Sequence, residues 1–278
     1  MITIKEFPKK QFKDKDEAFK YLMANKSLII EAKKSEIYKS HDKGLSVISN
    51  QEAISKIAES VKSFKMDDDY YYFVVNSSNI LDSHTDMHIK GNWEKTVKEQ
   101  QGKVYLVFDH QLKRSEIIAM KKDVEMFTAE IPFKALGKNY DGNTYCLIYK
   151  VKKTAIVNPE AKEWLEAGHD FEASVRMQYM DIDIAIDSTN PDMAKEKTNF
   201  DLYFPVIANK EDFEEIDYFW IKKKKKNVME SSLVMFGSNG ATGRITENLE
   251  PEKSTLENNE PTEVTHSETK QFINVNFY

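Results

Sequence analysis

Short runs of aromatic and β-branched residues follow one another between residues 70 and 151, and they restrict the folds open to this chain. Such residues favour extended strands that pack on one or both faces. Their regular succession predicts a β-rich domain over this part of the sequence. The runs are YYYFVV at 70–75, KVYLVF at 103–108, SEIIAM at 115–120, EMFTAEI at 125–131 and TYCLIYKV at 144–151.

A helix and then a long strand are predicted after residue 157. The stretch NPEAKEWLEA at 158–167 has Pro159 in its first turn and is followed by Gly168, which favours a helix over these residues. In the next segment, FEASVRMQYMDI, alternate residues of a strand share a face. Ser174 and Arg176 therefore point the same way. The opposite face is apolar and consists of Phe171, Ala173, Val175, Met177 and Tyr179.

The N-terminal 65 residues differ in charge from the rest of the chain. They contain 14 lysines against 9 Asp and Glu, and apolar residues recur at helical spacing over 15–25 and 51–65. This pattern predicts a basic, helical N-terminal appendage over residues 1–65. A solvated helical face on the main domain is the alternative, because lysine-rich helices are ordinary surface elements.

The main domain is predicted over residues 66–242. It includes a polar insertion at 187–226, with candidate strands FDLYFPV and IDYFWI, and closes with the strand NVMESSLVMF at 227–236. Residues 243–278 form an acidic tail, with seven Glu against two Lys over 247–270. Because this stretch is poor in apolar residues, we expect it to be flexible or disordered.

Composition excludes several classes of protein. The formal net charge of −6 gives the chain no general attraction to nucleic acid or to acidic membranes. The single cysteine, Cys146, cannot form an internal disulfide, which suits a reducing compartment. The N-terminus lacks the pattern of a secretion signal and no apolar run approaches the ~18 residues of a membrane span. These features predict a soluble protein that stays in the cell that makes it.

Two side chains suggest nucleophilic catalysis. A serine hydroxyl needs an imidazole within hydrogen-bond reach and a third group that orients the imidazole. His110 ends the strand KVYLVFDH in phase with its apolar residues, so its ring is expected at the margin of an apolar face, where a neutral base is favoured. Asp109 is a poor third group, because neighbours on a strand project to opposite faces. By spacing alone, a structural histidine and a surface serine remain the alternative.

Four segments, in order, resemble the motifs of tailed-phage prohead (head-maturation) serine proteases. The resemblance covers about residues 70–242. The segments are DSHTDMHIKGNWEKTV at 82–97, VYLVFDHQL at 104–112, NPEAKEWLEAGHDFEASVRMQY at 158–179 and MESSLVMFGSNGAT at 229–242. By this resemblance His110 is the general base, Ser174 is the nucleophile and Glu230 is the orienting acid.

The resemblance also implies a fold and a biological role. The fold is α+β and assemblin-like, with a β-barrel-like antiparallel or mixed sheet surrounded by helices. The enzyme would cleave scaffold and major capsid proteins, and itself, inside the assembling prohead in the host cytoplasm. It would need no cofactor and would form homodimers. Arg176, on the face of Ser174, would support the oxyanion or bind an acidic substrate residue, with a plain surface arginine as the alternative.

Other interpretations of the sequence remain open. Members of the family commonly have a small residue before the serine, whereas Glu172 and Ala173 precede Ser174, which leaves room for a catalytically inactive head protein with the protease fold. The lysine run at 222–226 suits a solvated turn; binding of nucleic acid or of an acidic scaffold surface is the alternative, and nucleic acid is not expected. The motif HTDMH at 84–88 contains metal-ligating types, but it lacks a helical zincin glutamate and a distant fourth ligand, so no metal is predicted.

Overall fold

A computed structural model describes residues 1–39, 47–48, 67–82, 84–169, 171–213 and 215–235. The predicted helix at 51–65 and the predicted acidic tail at 243–278 lie outside these residues. The five described α-helices are α1 (Lys15–Ala24), α2 (Lys26–Ser35), α3 (Glu94–Gln100), α4 (Pro159–Glu166) and α5 (Ala194–Tyr203). The described strands are β1 (Tyr38–Lys39), β2 (Val47–Ile48), β3 (Tyr70–Asn76), β4 (Asp86–His88), β5 (Tyr105–Phe108), β6 (Ile117–Ala119), β7 (Val124–Pro132), β8 (Asn143–Lys152), β9 (Glu172–Ile186) and β10 (Tyr218–Val234).

The strands form two sheets. The larger has the order β1-β9-β10-β5-β6, with β4 paired to β10, and the smaller has the order β2-β3-β8-β7. Strand β10 is antiparallel to β9 but parallel to both β4 and β5, so the larger sheet is mixed. The α+β class and the mixed sheet agree with the prediction. Within the described residues neither sheet closes on itself, so the expected barrel-like sheet is instead two open sheets.

The hydrophobic core contains residues of both sheets. The predicted apolar face of β9 is buried, and β3 of the smaller sheet packs against it. Strand β8 of the smaller sheet also contacts the larger sheet, because the Tyr149 hydroxyl accepts a 2.6 Å hydrogen bond from the Asn227 amide of β10. The alternation of FEASVRMQY therefore gives β9 one face in the core and leaves Ser174 and Arg176 on the other.

The N-terminal helices pack on this core. Asp14 caps α1 through the backbone N–H of Glu17, and the apolar face of α1 is buried in the same cluster as the sheet residues. At the start of α2, Lys26 forms ion pairs with Asp183 of β9, at 2.9 Å, and with Glu196 of α5, at 2.8 Å. The first 35 residues, predicted as a basic appendage, thus contribute to the core of the main domain.

The segment FDLYFPV, predicted as a strand, lies in α5 and the 3-10 turn that follows it, so that prediction was wrong. The physical reason is the spacing of its aromatic residues. Phe200 and Phe204 are four residues apart and stack with ring centroids 4.8 Å apart, which only a helix permits. Phe200 then packs on Phe219 of β10.

The lysine run at 222–226 is not a turn but the middle of β10. Lys222 and Lys225 are buried, whereas Lys224 and Lys226 are exposed. The aliphatic stems of Lys222 and Lys225 pack inside, while the ammonium group of each meets polar and aromatic partners. The interpretation of this run as a binding site for nucleic acid or an acidic surface is therefore weakened, because two of its five lysines are buried. No helix in the described part of the chain is both long and apolar enough to span a membrane.

Candidate active site

Three adjacent strands position the predicted catalytic residues. Ser174 of β9 lies directly opposite Ser232 of β10, and the same stretch of β10 pairs in parallel with β5. His110 comes two residues after the end of β5. The central position of β10 therefore brings residues from three distant parts of the sequence to one end of the sheet.

A left-handed turn delivers His110. The strand stops at Phe108, and both Asp109 (φ 45°) and His110 (φ 56°) have positive φ, so His110 does not continue the strand in phase as predicted. The backbone N–H of Asp109 donates to Leu233, at 3.0 Å, and that of Gln111 donates to Phe108, at 2.9 Å. Non-glycine residues rarely adopt this conformation, and it persists only where the surroundings fix it.

A bulge in β10 positions Glu230. Between Asn227 and Ser231 strand β10 advances four positions, while its partner β9 advances only two, from Met177 to Val175. Met229, inside the bulge, has a φ of 73°. Bulges bend a strand and redirect its side chains, and here the bulge immediately precedes Glu230.

The three side chains form a continuous hydrogen-bonded relay. His110 Nδ1 lies 2.9 Å from Oε1 of Glu230 and 3.2 Å from its Oε2. On the other side of the ring, His110 Nε2 lies 2.7 Å from the Ser174 hydroxyl oxygen. Because a carboxylate only accepts, Nδ1 carries the ring proton of a neutral imidazole, and Nε2 is left to accept the serine proton. This is the arrangement that a serine nucleophile requires.

The relay is enclosed by protein. Ser174 and Glu230 have no exposed surface and His110 is 5% exposed. Exclusion of water strengthens the hydrogen bonds of the relay, because the local dielectric constant is low. In this structure the Ser174 side chain is therefore not open to solvent.

Two charged residues flank Ser174 on its face of β9. Arg176 is half-buried, and its Nε has no hydrogen-bond partner within the described residues. Glu172, the acidic residue that distinguishes this chain from the family pattern, is also half-buried. Arg176 therefore has a buried Nε–H without a hydrogen-bond partner within the described residues, two positions from Ser174 on the same face of β9.

Ser232 belongs to the site although the sequence did not single it out. Its hydroxyl oxygen accepts the backbone N–H of His110, at 2.8 Å, and its hydroxyl donates to Oε2 of Glu230, at 2.9 Å. The signal that could have found it is its place two residues after Glu230, since alternate strand residues share a face.

The HTDMH motif contributes to a second, separate buried cluster. Asp86 forms a 2.7 Å ion pair with Lys222, and Lys33 and Lys5 lie 3.4 and 3.6 Å away. Burial opposes ionisation of Asp86, but these three positive charges outweigh it and hold the pKa of Asp86 well below its usual range. Burial lowers the pKa of Lys222 to about 8.

His88 of the same motif is also buried. Its Nδ1 contacts the ammonium group of Lys225, and its Nε2 faces Asp82 at 3.6 Å. Burial, together with the charge of Lys225, lowers the pKa of His88 to about 4, so this ring is neutral at pH 7. Across the described residues no group of three or more His, Cys, Asp or Glu is placed to hold a metal ion.

Cys146 does not form a second nucleophilic site. It is fully buried in β8, and burial raises the pKa of its thiol to about 12. Because the thiolate is the reactive form, this cysteine is an inert core residue at neutral pH.

Comparisons with protein-family models, with curated proteins and with solved structures find no match.

Proposed function

We propose that this chain is a serine endopeptidase with Ser174 as nucleophile, His110 as general base and Glu230 as the group that orients the imidazole. The observation that carries the proposal is the unbroken relay from the Glu230 carboxylate through the His110 ring to the Ser174 hydroxyl. The motif pattern named these three residues, but no pattern of residues requires their side chains to meet within hydrogen-bond distance.

The relay supports acyl transfer through a covalent intermediate. The Ser174 oxygen attacks the carbonyl carbon of the scissile peptide bond while its proton passes to His110 Nε2. The C–N bond then breaks, and the protonated imidazole gives that proton to the departing amine, which leaves an acyl-enzyme. Water, deprotonated by the same nitrogen, attacks the ester and releases the second product. Throughout, Glu230 stabilises the imidazolium and holds its Nδ1–H.

Arg176 is proposed to assist this reaction. Its unsatisfied Nε and its position on the serine's face suit stabilisation of the oxyanion that forms when the carbonyl is attacked. Binding of an acidic residue of the substrate is the second role compatible with the same position.

We further propose a phage context for the enzyme. The four ordered motifs support assignment to the prohead proteases and to the assemblin-like fold. The substrates would then be scaffold and major capsid polypeptides within an assembling head in the host cytoplasm, with self-cleavage and homodimerisation as further features. No cofactor takes part in the proposed chemistry.

Covalent labelling of the serine tests the enzymatic proposal. The full-length protein, Ser174→Ala and His110→Ala are incubated with a small fluorophosphonate, and the adduct is mapped by mass spectrometry. We expect an adduct on Ser174 in the wild type, no adduct in Ser174→Ala, and labelling slowed ~10³-fold or more in His110→Ala, because the hydroxyl then lacks its base.

The alternative of an inactive head protein predicts a different result. A folded wild-type protein that acquires no adduct over many hours, at temperatures up to the onset of unfolding, would exclude the enzyme and favour that alternative. Labelling at equal rates with and without His110 would also exclude the proposed mechanism, since the hydroxyl would then react without its base.

A further inference from the structure

Ser232 links the backbone of His110 to the carboxylate that contacts the His110 ring. Its oxygen receives the backbone N–H of His110, while its own proton is directed to Oε2 of Glu230. Glu230 in turn accepts the Nδ1–H of the His110 ring through Oε1. The hydrogen bonds therefore close a ring that begins at the His110 backbone and returns to the His110 side chain.

Each bond of this ring restrains a group that would otherwise be free to move. The contact with the His110 N–H holds a residue whose φ of 56° is unfavourable for a side-chain-bearing residue. The contact with Oε2 satisfies an acceptor of a carboxylate that has no exposed surface. One hydroxyl thus fixes both the backbone that presents the imidazole and the carboxylate that orients it.

The location of Ser232 also favours this role. It lies on the central strand of the site, directly across from Ser174, and is itself fully buried. Because core positions allow little rearrangement, its hydroxyl is held where both bonds are short.

We infer that Ser232 is a positioning residue of the proposed triad, which acts through His110 and Glu230 and does not touch the substrate. The expected effect of Ser232 on the labelling rate rests on the proposed function. The restraint of the His110 ring by Ser232 does not depend on whether the protein is an active enzyme.

The experiment compares Ser232→Ala with Ser231→Ala in the full-length chain. Ser231 is the neighbouring buried serine of the same strand, and its hydroxyl accepts from Asn227, away from the triad. We expect Ser232→Ala to lower the rate constant for fluorophosphonate labelling of Ser174 by about 10- to 100-fold, the loss typical of a hydrogen bond to a charged group. Ser231→Ala should label at close to the wild-type rate.

A second measurement does not require activity. In wild-type protein, NMR should detect the His110 Nδ1 proton as a downfield signal that exchanges slowly with water, because the proton is buried between ring and carboxylate. In Ser232→Ala the signal should move upfield and exchange faster, and in Ser231→Ala it should stay. Unchanged labelling and an unchanged Nδ1 signal in a folded Ser232→Ala protein would overturn the inference.

Two further variants separate misfolding from loss of positioning. If Ser232→Ala fails to fold, Ser232→Cys takes its place, since a thiol is close in shape but a weak donor and acceptor; the same changes are expected in it. Ser232→Thr keeps the hydroxyl and should restore labelling and the Nδ1 signal. If no variant and no wild-type protein is labelled, the enzymatic proposal fails, whereas the Nδ1 signal still decides the role of Ser232.

Discussion

In the proposed mechanism Glu230 acts on the imidazole of His110 and not on the substrate. Its carboxylate fixes the proton of His110 on Nδ1 and so leaves Nε2 free to accept from Ser174. An amide at this position could donate to the ring and reverse the tautomer. The consequence would be a ring nitrogen that carries a proton where the base must have a lone pair.

Replacement of Glu230 by Gln should therefore lower the reactivity of Ser174 although it keeps the size of the side chain. We expect the rate of fluorophosphonate labelling to fall by ~10²- to 10⁴-fold, as for the loss of a triad acid elsewhere. The measurement is the second-order rate constant of labelling, with thermal denaturation to verify that the variant is folded.

Asp109→Asn provides the matched control. Asp109 is exposed and adjoins His110, and asparagine tolerates its left-handed backbone. The same loss of a negative charge should then have little effect on labelling. A Glu230→Gln protein as reactive as Asp109→Asn would show that the carboxylate does not orient the base.

The structure brings together the three residues that the sequence motifs selected, whereas the local backbone that positions them was not predicted. Residue type and motif order selected His110, Ser174 and Glu230, and the structure brings all three together. The left-handed turn at His110 and the bulge before Glu230 leave no periodic signal, because neither depends on a hydrophobic repeat. The role of Ser232 depends on that backbone geometry and was missed with it.

At the scale of elements, β10 joins the candidate active site to the buried charge cluster. Its C-terminal half carries Glu230 and Ser232, and its N-terminal half carries Lys222 and Lys225, which pair with residues of β4 and their neighbours. From the sequence alone, a run of five lysines is typical of a surface element. Only the parallel pairing with β4, which places Asp86 and His88 beside it, shows why two of the lysines are buried.

This cluster makes the stability of the sheet sensitive to acid. The pKa of His88 is about 4 in the folded protein, against a usual value of 6.5. A group whose pKa is depressed by folding stabilises the folded state fully above its unfolded pKa, and that contribution is lost as pH falls. The loss should begin near pH 6.5 and reach about 3 kcal/mol near pH 4, since each pKa unit corresponds to ~1.4 kcal/mol.

His88→Gln should remove this part of the acid sensitivity. The free energy of unfolding, measured by denaturant titration at pH 7 and at pH 4.5, should fall less between the two conditions in His88→Gln than in the wild type. His84→Gln is the control from the same motif, because His84 is exposed, and it should follow the wild type. An equal fall in all three proteins would mean that His88 is not held neutral by burial.

At the scale of the whole molecule, α1 is part of the main domain's core and α2 packs against it. Composition predicted a basic region there but could not tell an appendage from a packed face, because lysine content reports only the solvated side of a helix. The buried side of α1 consists of few residues, among them Phe19 and Leu22, and these join the cluster that includes both sheets. The ion pairs of Lys26 then anchor the start of α2 to β9 and α5.

A matched pair of leucine substitutions tests how much the packing of α1 in the core contributes to stability. Leu22 in α1 has no exposed surface, whereas Leu28 in α2 is 66% exposed. Leu22→Ala should lower the free energy of unfolding by about 2 to 5 kcal/mol, the range for a buried leucine truncated in a core that cannot collapse around the cavity. Leu28→Ala should change it by no more than about 0.5 kcal/mol.

The shape of the unfolding transition shows whether the N-terminal helices unfold together with the sheets. If residues 1–35 unfold together with the sheets, Leu22→Ala shifts a single transition to lower denaturant concentration with an unchanged slope, as seen by both circular dichroism and fluorescence. The triad strands would then lose stability together with α1, and labelling of Ser174 would decline at the same denaturant concentration. A separate early transition that leaves labelling intact would instead identify the N-terminal helices as an independently unfolding unit, because only a segment outside the cooperative core can melt without disturbing the relay.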